Sequence, residues 1–402
     1  MPGLSPEHKQ ATLPSSVKSA QQRQPLVALH MAGKPVWSAR DYGALCRQGY
    51  QRNAIVYRCV RLIAEAAASV PLCTRRQNGY QEDCVENDPA SRFLTSGNSE
   101  ATPTAILESF YGYLQVSGNA YLEAGLVDGV PVALYALRPD RMSVLTNRQG
   151  WPCGWDYQSG GCKRTFKLDA NTGQSAIFHM RLFNPAQDHY GFSPLEAAAQ
   201  AVDVHNEGGR WTKALLDNSA RPSGALVYKG ANGAERLTDE QFDRLKTELE
   251  GSHTGATQAG RPLLLEGGLD WKAMSLSPTD MDFTEARREA AREIALAFGV
   301  PPMLLGIPGD NTYANYREAN QAFWRQTIIP LVRKTTTGLE NWLQPFFGDD
   351  LRIVAELDKV PALTEERTAL WKRLSEASFL TDAERRELAS LPARDVPESE
   401  GE

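Results

Sequence analysis

SPTDMDFTEARREAAREIALAFGVPPMLLGIPGDNTYANYREANQAFWRQTIIPLVRKTTTGLENWLQPF, residues 277–346, reads as a helix, a Pro/Gly loop and a second, longer helix. Ser277 suits an N-cap, Pro278 suits the first helical position, and Asp280 follows three residues after the cap. Phe283, Arg287, Ala290, Ile294 and Phe298 recur at helical spacing, with Ala286, Ala291, Ala295 and Ala297 between them. Gly299 is placed to end the helix, and Pro301–Pro302 forbids its continuation. The run MLLGIPGDNT fits no regular structure. The second helix starts near Thr312 and reaches about Leu343, with Pro330 predicting a kink.

The first of these helices carries Asp280, Asp282, Glu285, Arg287, Arg288, Glu289, Arg292 and Glu293, with alanine filling much of the rest. Such a helix has little apolar area to bury alone, and small residues let a neighbour approach closely. The expectation is a helix flanked by copies of itself; a helical hairpin inside an ordinary core is the alternative.

Composition narrows the function classes. The 402 residues are 42% hydrophobic and 23% charged, enough for a sizeable core. Net charge is −6, so bulk electrostatics do not make the chain a nucleic-acid binder. No apolar run is long enough to cross a membrane, and the N-terminus lacks the apolar stretch of a secretory signal, so a cytosolic protein is expected. The six cysteines form no C-x-x-C pair, and Cys153 and Cys162 have no histidine at zinc-finger distance, so free thiols and no metal site are expected.

Outward from the central stretch, the pattern is α+β. Residues 1–25 are polar and read as a flexible arm. Residues 53–70 form an amphipathic helix stopped by Pro71, followed by a strand and a turn at Asn78–Gly79. A helix over 103–117 ends at Gly118–Asn119. An antiparallel hairpin follows, turning at Asp128–Gly129, and another, turning at Gly160–Gly161, spans 151–167. A strand over 175–181 leads to a long helix over 193–218, capped by Ser193 with Pro194 and Glu196, and weakened near its middle by Gly208–Gly209. Residues 222–275 read as strand, helix, strand, strand. A strand near 351–356 and two capped helices, 364–378 and 381–390, precede an acidic tail.

Candidate chemistry is thin. His179 and His189 flank FNPAQDHYG and invite a metal or acid–base reading, but one packed and one exposed ring is the better expectation. Arg138, Asp140 and Arg141 read as a solvated turn, since no nucleophile or phosphate loop accompanies them. The chain has no G-x-x-x-x-G-K-[ST], G-x-S-x-G or H-E-x-x-H, and no catalytic residue or cofactor is expected. A sequence-specific DNA binder needs a basic face, whereas 43 basic residues face 49 acidic ones.

Three phrases resemble the portal proteins of tailed bacteriophages, the rings through which DNA enters and leaves the capsid. One is carried by Phe298, Gly299, Val300, Pro301, Pro302, Leu304, Leu305, Gly306, Tyr313, Asn315, Phe323, Ile328 and Pro330. A second is Gly118, Asn119, Ala120, Tyr121, Leu137, Pro139 and Met142; a third joins His179, Arg181, Gly191, Ser193, Pro194 and Leu195. The opening helix adds Val56, Cys59, Val60, Ile63, Ala64, Ala68, Pro71 and Leu72.

The resemblance implies an α+β portal-type fold. It implies a wing over 26–192, a stem helix over 193–221, a clip over 222–276 and a second stem helix over 277–298. A tunnel loop over 299–315 follows, then a wing helix and strand over 316–360, helical crown 361–392 and tail 393–402. Ile307, Pro308, Gly309, Asp310, Asn311 and Thr312 are then expected to face the DNA channel. Phe283, Ala286, Arg287, Ala290 and Ile294 are expected to touch neighbouring subunits. The implied assembly is a homo-oligomer, in the family's dodecameric form, conducting double-stranded DNA without sequence preference. Its implied partners are the terminase large subunit, the major capsid protein and a head–tail connector or adaptor. Its implied location is the virion vertex, after assembly in the bacterial host cytoplasm. A non-viral structural oligomer or a DNA-associated scaffold without catalysis is the alternative.

Overall fold

The computed structural model of the chain describes residues 37–78, 81–84, 88–217, 224–228, 269–273, 283–307 and 313–389, with a few isolated positions between 238 and 247. The arm (1–25), the acidic tail, most of 222–276, the Ser277 cap and Pro308–Thr312 lie outside the described residues.

The described chain is a mixed α+β structure. Helix α1 (Tyr42–Ala44) runs into a π turn, Leu45–Tyr50, and then α2 (Ala54–Ala68). The Asn53 side chain accepts from the backbone N–H groups of Ile55 and Val56, which fixes where α2 begins. Its apolar face, Val56, Cys59, Val60, Ile63 and Ala67, is buried as the periodicity predicts. Strands β1 (Leu72–Asn78) and β2 (Gln81–Cys84) are followed by α3 (Pro89–Ser96) and α4 (Pro103–Ser117). Thr102 caps α4, Pro103 opens it, and Gly118 ends it at φ 73°.

Strands β3 (Asn119–Val127) and β4 (Val130–Leu137) pair through a two-residue turn. Asp128 and Gly129 both have positive φ, as a type I′ hairpin requires. Then come β5 (Met142–Thr146), β6 (Pro152–Ser159), β7 (Cys162–Lys167) and β8 (Ile177–Arg181). Helices α5 (Pro194–Ala197) and α6 (Ala199–Asp217), strands β9 (Gly224–Tyr228) and β10 (Leu269–Ala273), and α7 (Phe283–Ala297) follow. The chain continues with α8 (Tyr313–Phe323), α9 (Ile329–Phe347), β11 (Leu351–Ala355), α10 (Thr364–Glu376) and α11 (Asp382–Leu388).

All described pairings are antiparallel, in sheets ordered β4–β3–β8, β5–β6–β7, β11–β1–β2 and β10–β9. The main core lies where α2, α4, β3, β8 and α9 meet. Phe178 of β8 stacks between Phe110 of α4 at 5.8 Å and Trp342 of α9 at 5.5 Å. Gly338 lets α9 lie against that ring, because a Cβ there would stand 2.8 Å from Phe178 Cζ. The Trp342 indole N–H donates to Ser175 O at 2.8 Å, so burying it leaves no orphaned donor.

Two expectations change, and two elements are added. The departure from regular α-helix near Pro330 does not begin at the proline itself. Instead a π turn, Trp324–Ile328, joins α8 to α9, and Ile329 N–H bonds back to Trp324 O. The widened turn lets the helix continue past a residue whose ring would otherwise collide with the carbonyl four positions earlier. The helix expected as one over 193–218 is interrupted at Ala198, while α6 runs unbroken through the weakening Gly208–Gly209 pair. Helix α3, capped by Asp88 and burying Ala90, Phe93 and Leu94, and the α1–π segment are additions to the expected elements.

Candidate channel loop and subunit-contact surface

The Pro/Gly loop has a fixed base. At the end of α7, Val300 N–H bonds to Ala295 O at 2.9 Å and Gly299 N–H to Leu296 O at 3.0 Å, with Gly299 at φ 66°. This is a Schellman stop, and it needs glycine at its left-handed position. A second stop of the same form closes the short 3-10 turn Pro302–Leu305: Ile307 N–H bonds to Pro302 O and Gly306 N–H to Met303 O, both at 3.2 Å. Phe298, Val300 and Ile307 are buried beneath these turns. Thr327, in the π turn, donates its hydroxyl to Gly299 O at 2.6 Å and ties the two helices flanking the loop together. Ile307, expected to face a channel, is thus corrected: it is an apolar anchor, because the second stop turns its side chain into the protein. Pro308, Gly309, Asp310, Asn311 and Thr312 lie outside the described residues.

Helices α6 and α7 pack side by side. A Cβ at Gly208 would come within 2.8 Å of Arg287 Cγ, so the aliphatic stem of Arg287 lies across the bare backbone of α6. The same chain therefore occupies at least part of Arg287. Ala290 and Ile294, also expected at a subunit boundary, are corrected too. Both are buried in this chain's own core, alongside Leu195, Ala198, Ala201 and Val202. Ala286 is exposed, and Phe283 begins α7 without a described side chain.

What α7 turns outward is charge and one leucine. Glu285, Glu289 and Glu293 alternate with Arg288 and Arg292, three acids against two bases. Arg288 lies 3.4 Å from Glu285, and Arg292 lies 2.5 Å from Glu289 and 3.7 Å from Glu285. Leu296 is 80% exposed. It borders a shallow depression of ≈ 470 Å³, lined also by Val300, Pro301, Pro302 and Gln326. Charged spacing marks this helix in the sequence, but nothing there distinguishes Leu296 from the leucines of the core.

A polar hub joins the strand body to the start of the α5–α6 region. Asn119 Oδ1 accepts from Gly191 N–H at 2.8 Å, and its amide donates to Ser117 O at 3.0 Å. Leu182 N–H bonds to Gly118 O at 2.9 Å, and Ser193 caps α5 through Glu196 N–H while donating to Gln115 O. A Cβ on Gly191 would lie 2.1 Å from Gly118 O, so only glycine fits the crossing. The motif residues Gly118, Asn119, Gly191, Ser193 and Pro194 thus form one clamp, which the sequence presents as two separate phrases.

The remaining candidates are structural. His179 stacks on Tyr121 with ring centroids 4.2 Å apart, and its Nε2 lies 3.2 Å from Asn119 Oδ1. Burial first, then the charges of Arg181 and His189, hold its pKa down at about 3, so the ring is neutral. Arg138 pairs with Asp140 at 2.8 Å in the turn before β5. Cys46, Cys59, Cys73, Cys153 and Cys162 are free thiols, and burial pushes Cys59 up to about 12. Among the described residues, no cluster of three or more His, Cys, Asp or Glu side chains could hold a metal, and no helix is long and apolar enough to cross a membrane.

Known proteins supply the remaining observation. The family described as "Phage portal protein" matches residues 54–389. The chain is 26% identical over 349 residues to the portal protein of Enterobacteria phage HK97, spanning 84% of this chain and 78% of that one. It is 40% identical over 343 residues to an uncharacterized protein of Rickettsia bellii, spanning 85% and 88%. It also resembles a chain in the neck of a native gene transfer agent particle, computed with C12 symmetry. That match has a TM-score of 0.68 and 48% identity, covering 90% of this chain and 97% of that one. The portal family is structural and non-catalytic, and a match across most of the chain on these terms means that the chain belongs to the phage portal protein family.

Proposed function

We infer that the chain forms a ring at one vertex of a DNA-filled particle and serves as the conduit for the genome entering and leaving it. The observation that carries this reading is the likeness, over nine-tenths of the chain, to a neck component computed with twelvefold symmetry. The 48% identity to that neck, against 26% to the phage HK97 portal, favours a gene-transfer-particle type over a phage type.

In this reading α6 and α7 are the stem helices and 222–276 is the clip on which a terminase large subunit docks. Residues 26–192 and 316–360 make the wing beside the major capsid protein, and 361–392 make the crown. A head–tail connector or adaptor binds the exit side. Residues 299–315 form the tunnel loop, in which Asp310, Asn311 and Thr312 give a polar, nearly uncharged tip above the pinned base. The ring hydrolyses nothing; its packaging motor does.

The charge pattern supports conduction. A lumen crowded with cations would release counterions and hold the phosphate backbone tightly. The exposed face of α7 instead carries acids and bases already paired along the helix, and a ring repeats that balance in every subunit.

Mass photometry or negative-stain microscopy of the purified chain is expected to show rings with a central hole; a stable monomer at micromolar concentration would overturn the reading. Replacing Asp310, Asn311 and Thr312 with lysines is expected to impair DNA packaging while rings persist. Loss of the rings instead would mean that the loop belongs to the subunit boundary.

A further inference from the structure

The outer faces of α6 and α7 carry complementary charges and apolar side chains. Both run along one pair of helices, and their relative heights can be counted. Gly208 lies level with Arg287, where the two helices touch. Helix α5, eleven or more residues before Gly208, also touches α7. At about 1.5 Å of rise per residue, it can reach only the C-terminal end of α7, so the two helices are antiparallel.

Counting away from the contact in opposite directions places Glu207 level with Arg288, and Arg210 level with Glu285. It places Gln200 level with Ala295, one residue from Leu296, and Val204 level with Ala291, about one turn away. Glu207, Arg210, Gln200, Val204, Glu285, Arg288 and Leu296 are all exposed. Within one chain Glu207 pairs with Arg210 on α6, and Arg288 with Glu285 on α7.

Rotation about a ring axis leaves height along that axis unchanged. Two neighbours whose α6–α7 pairs run along the axis therefore meet level for level. At the level of Glu285 and Arg288, the α6 of the next copy offers the opposite charge at each position. The depression beside Leu296 is lined along α7 from Glu289 to Leu296. At those levels the next α6 offers Val204, 42% exposed, and Gln200, one turn apart on the same face. Leu296 can rest on the Val204 methyls and the aliphatic stem of Gln200, while the Gln200 amide stays in water.

We propose that the outer face of α6 in one copy docks on the outer face of α7 in the next. Leu296 is seated against Gln200 and Val204, and Arg210 and Glu207 face Glu285 and Arg288. This rests on the reading of α6 and α7 as stem helices of a ring. The interface is heterologous: each copy uses α6 toward one neighbour and α7 toward the other, so it closes only by completing the circle.

The test uses the full chain with exposed Cys153 and Cys162 changed to serine. Gln200→Cys with Leu296→Cys, oxidised after assembly, is expected to give a ladder of covalent multimers in denaturing gels, and each single variant is expected to give none. Separately, Arg210→Glu is expected to lower the yield of rings at least about tenfold at fixed concentration, since about 1.4 kcal/mol per contact already gives that factor. Adding Glu285→Arg is expected to restore it to within about twofold. Circular dichroism of each variant checks that the subunit itself remains folded. Rings without a ladder and without charge-swap rescue overturn this docking and leave the ring reading intact. Absence of rings from the unmodified chain overturns both.

Discussion

In the strand-and-helix body, around α4 and the start of β3, the chain closes over its own apolar side chains; along the α6–α7 pair it leaves Val204 and Leu296 in solvent. It does the same at the tip of the β3–β4 hairpin, where Leu126, Val127, Val130 and Val132 are exposed. In the body Phe110, Leu114, Tyr121 and Leu122 are closed off from solvent by elements of the same chain, and even the polar Asn119 finds its partners there. The paired helices bury Ala290 and Ile294 on one side and present Leu296 and Val204 on the other. Hydrophobic burial per area is the same physics in both places. In the proposed ring the difference separates two roles: the enclosed part of the body makes the subunit stable, and the helix pair offers its apolar surface to a neighbour.

That contrast can be broken at several points. The largest effect is expected in the body. Phe110→Ala removes a fully enclosed ring and is expected to cost about 3–5 kcal/mol, read as a fall in the urea midpoint of the subunit. A loss below about 1 kcal/mol would mean that the body, too, depends on neighbours.

Next comes the clamp. Asn119→Ala leaves the buried Gly191 N–H without its acceptor and is expected to cost about 1–3 kcal/mol by the same measurement. An unchanged midpoint would remove the clamp from the account of how the body holds the α5–α6 region.

The third probe is pH. His179 has its folded pKa lowered from 6.5 to about 3, while the unfolded chain takes up the proton near 6.5. The stability that comes from keeping the ring neutral is therefore fully present above pH 6.5 and is lost as the pH falls toward 3. Its slope approaches about 1.4 kcal/mol per pH unit. Burial, helped by the Arg287 charge, lowers His205 as well, so the wild-type slope between about pH 6.5 and 4.5 is shared. His179→Gln is expected to flatten it in part. An identical slope in the variant would show that His179 takes its proton without disturbing the body.

The smallest effect on stability is expected on the outer face of α7. Leu296→Ala removes an exposed side chain and is expected to change the subunit's urea midpoint by less than about 0.5 kcal/mol, while weakening rings. A large loss of subunit stability would place Leu296 on the side of the body and erase the contrast.

Much of the body is legible in the sequence because local signals and tertiary needs agree there. Asn53, Thr102 and Gly118 mark helix ends by hydrogen bonds and backbone freedom that operate within a few residues. Asp128–Gly129 dictates a turn for the same reason. The loop base is half legible: Gly299 announces the first stop, but the second stop and the tie from Thr327 depend on where the π turn brings that hydroxyl. Helix α7 is plain as a helix, and the stripe through Arg287, Ala290, Ile294 and Phe298 is indeed its covered side; what the pattern does not reveal is that the same chain supplies the cover.

Sequence alone determined most of the elements, many of their ends and the family, since capping, turn chemistry and motif spacing act over short stretches of chain. Tertiary structure decided what covers the apolar side of α7. That choice depends on Gly208 admitting the stem of Arg287 and on Leu195, Ala198, Ala201 and Val202 receiving Ala290 and Ile294. Contacts between residues about eighty or more positions apart decide which element meets that side, and no local propensity encodes them.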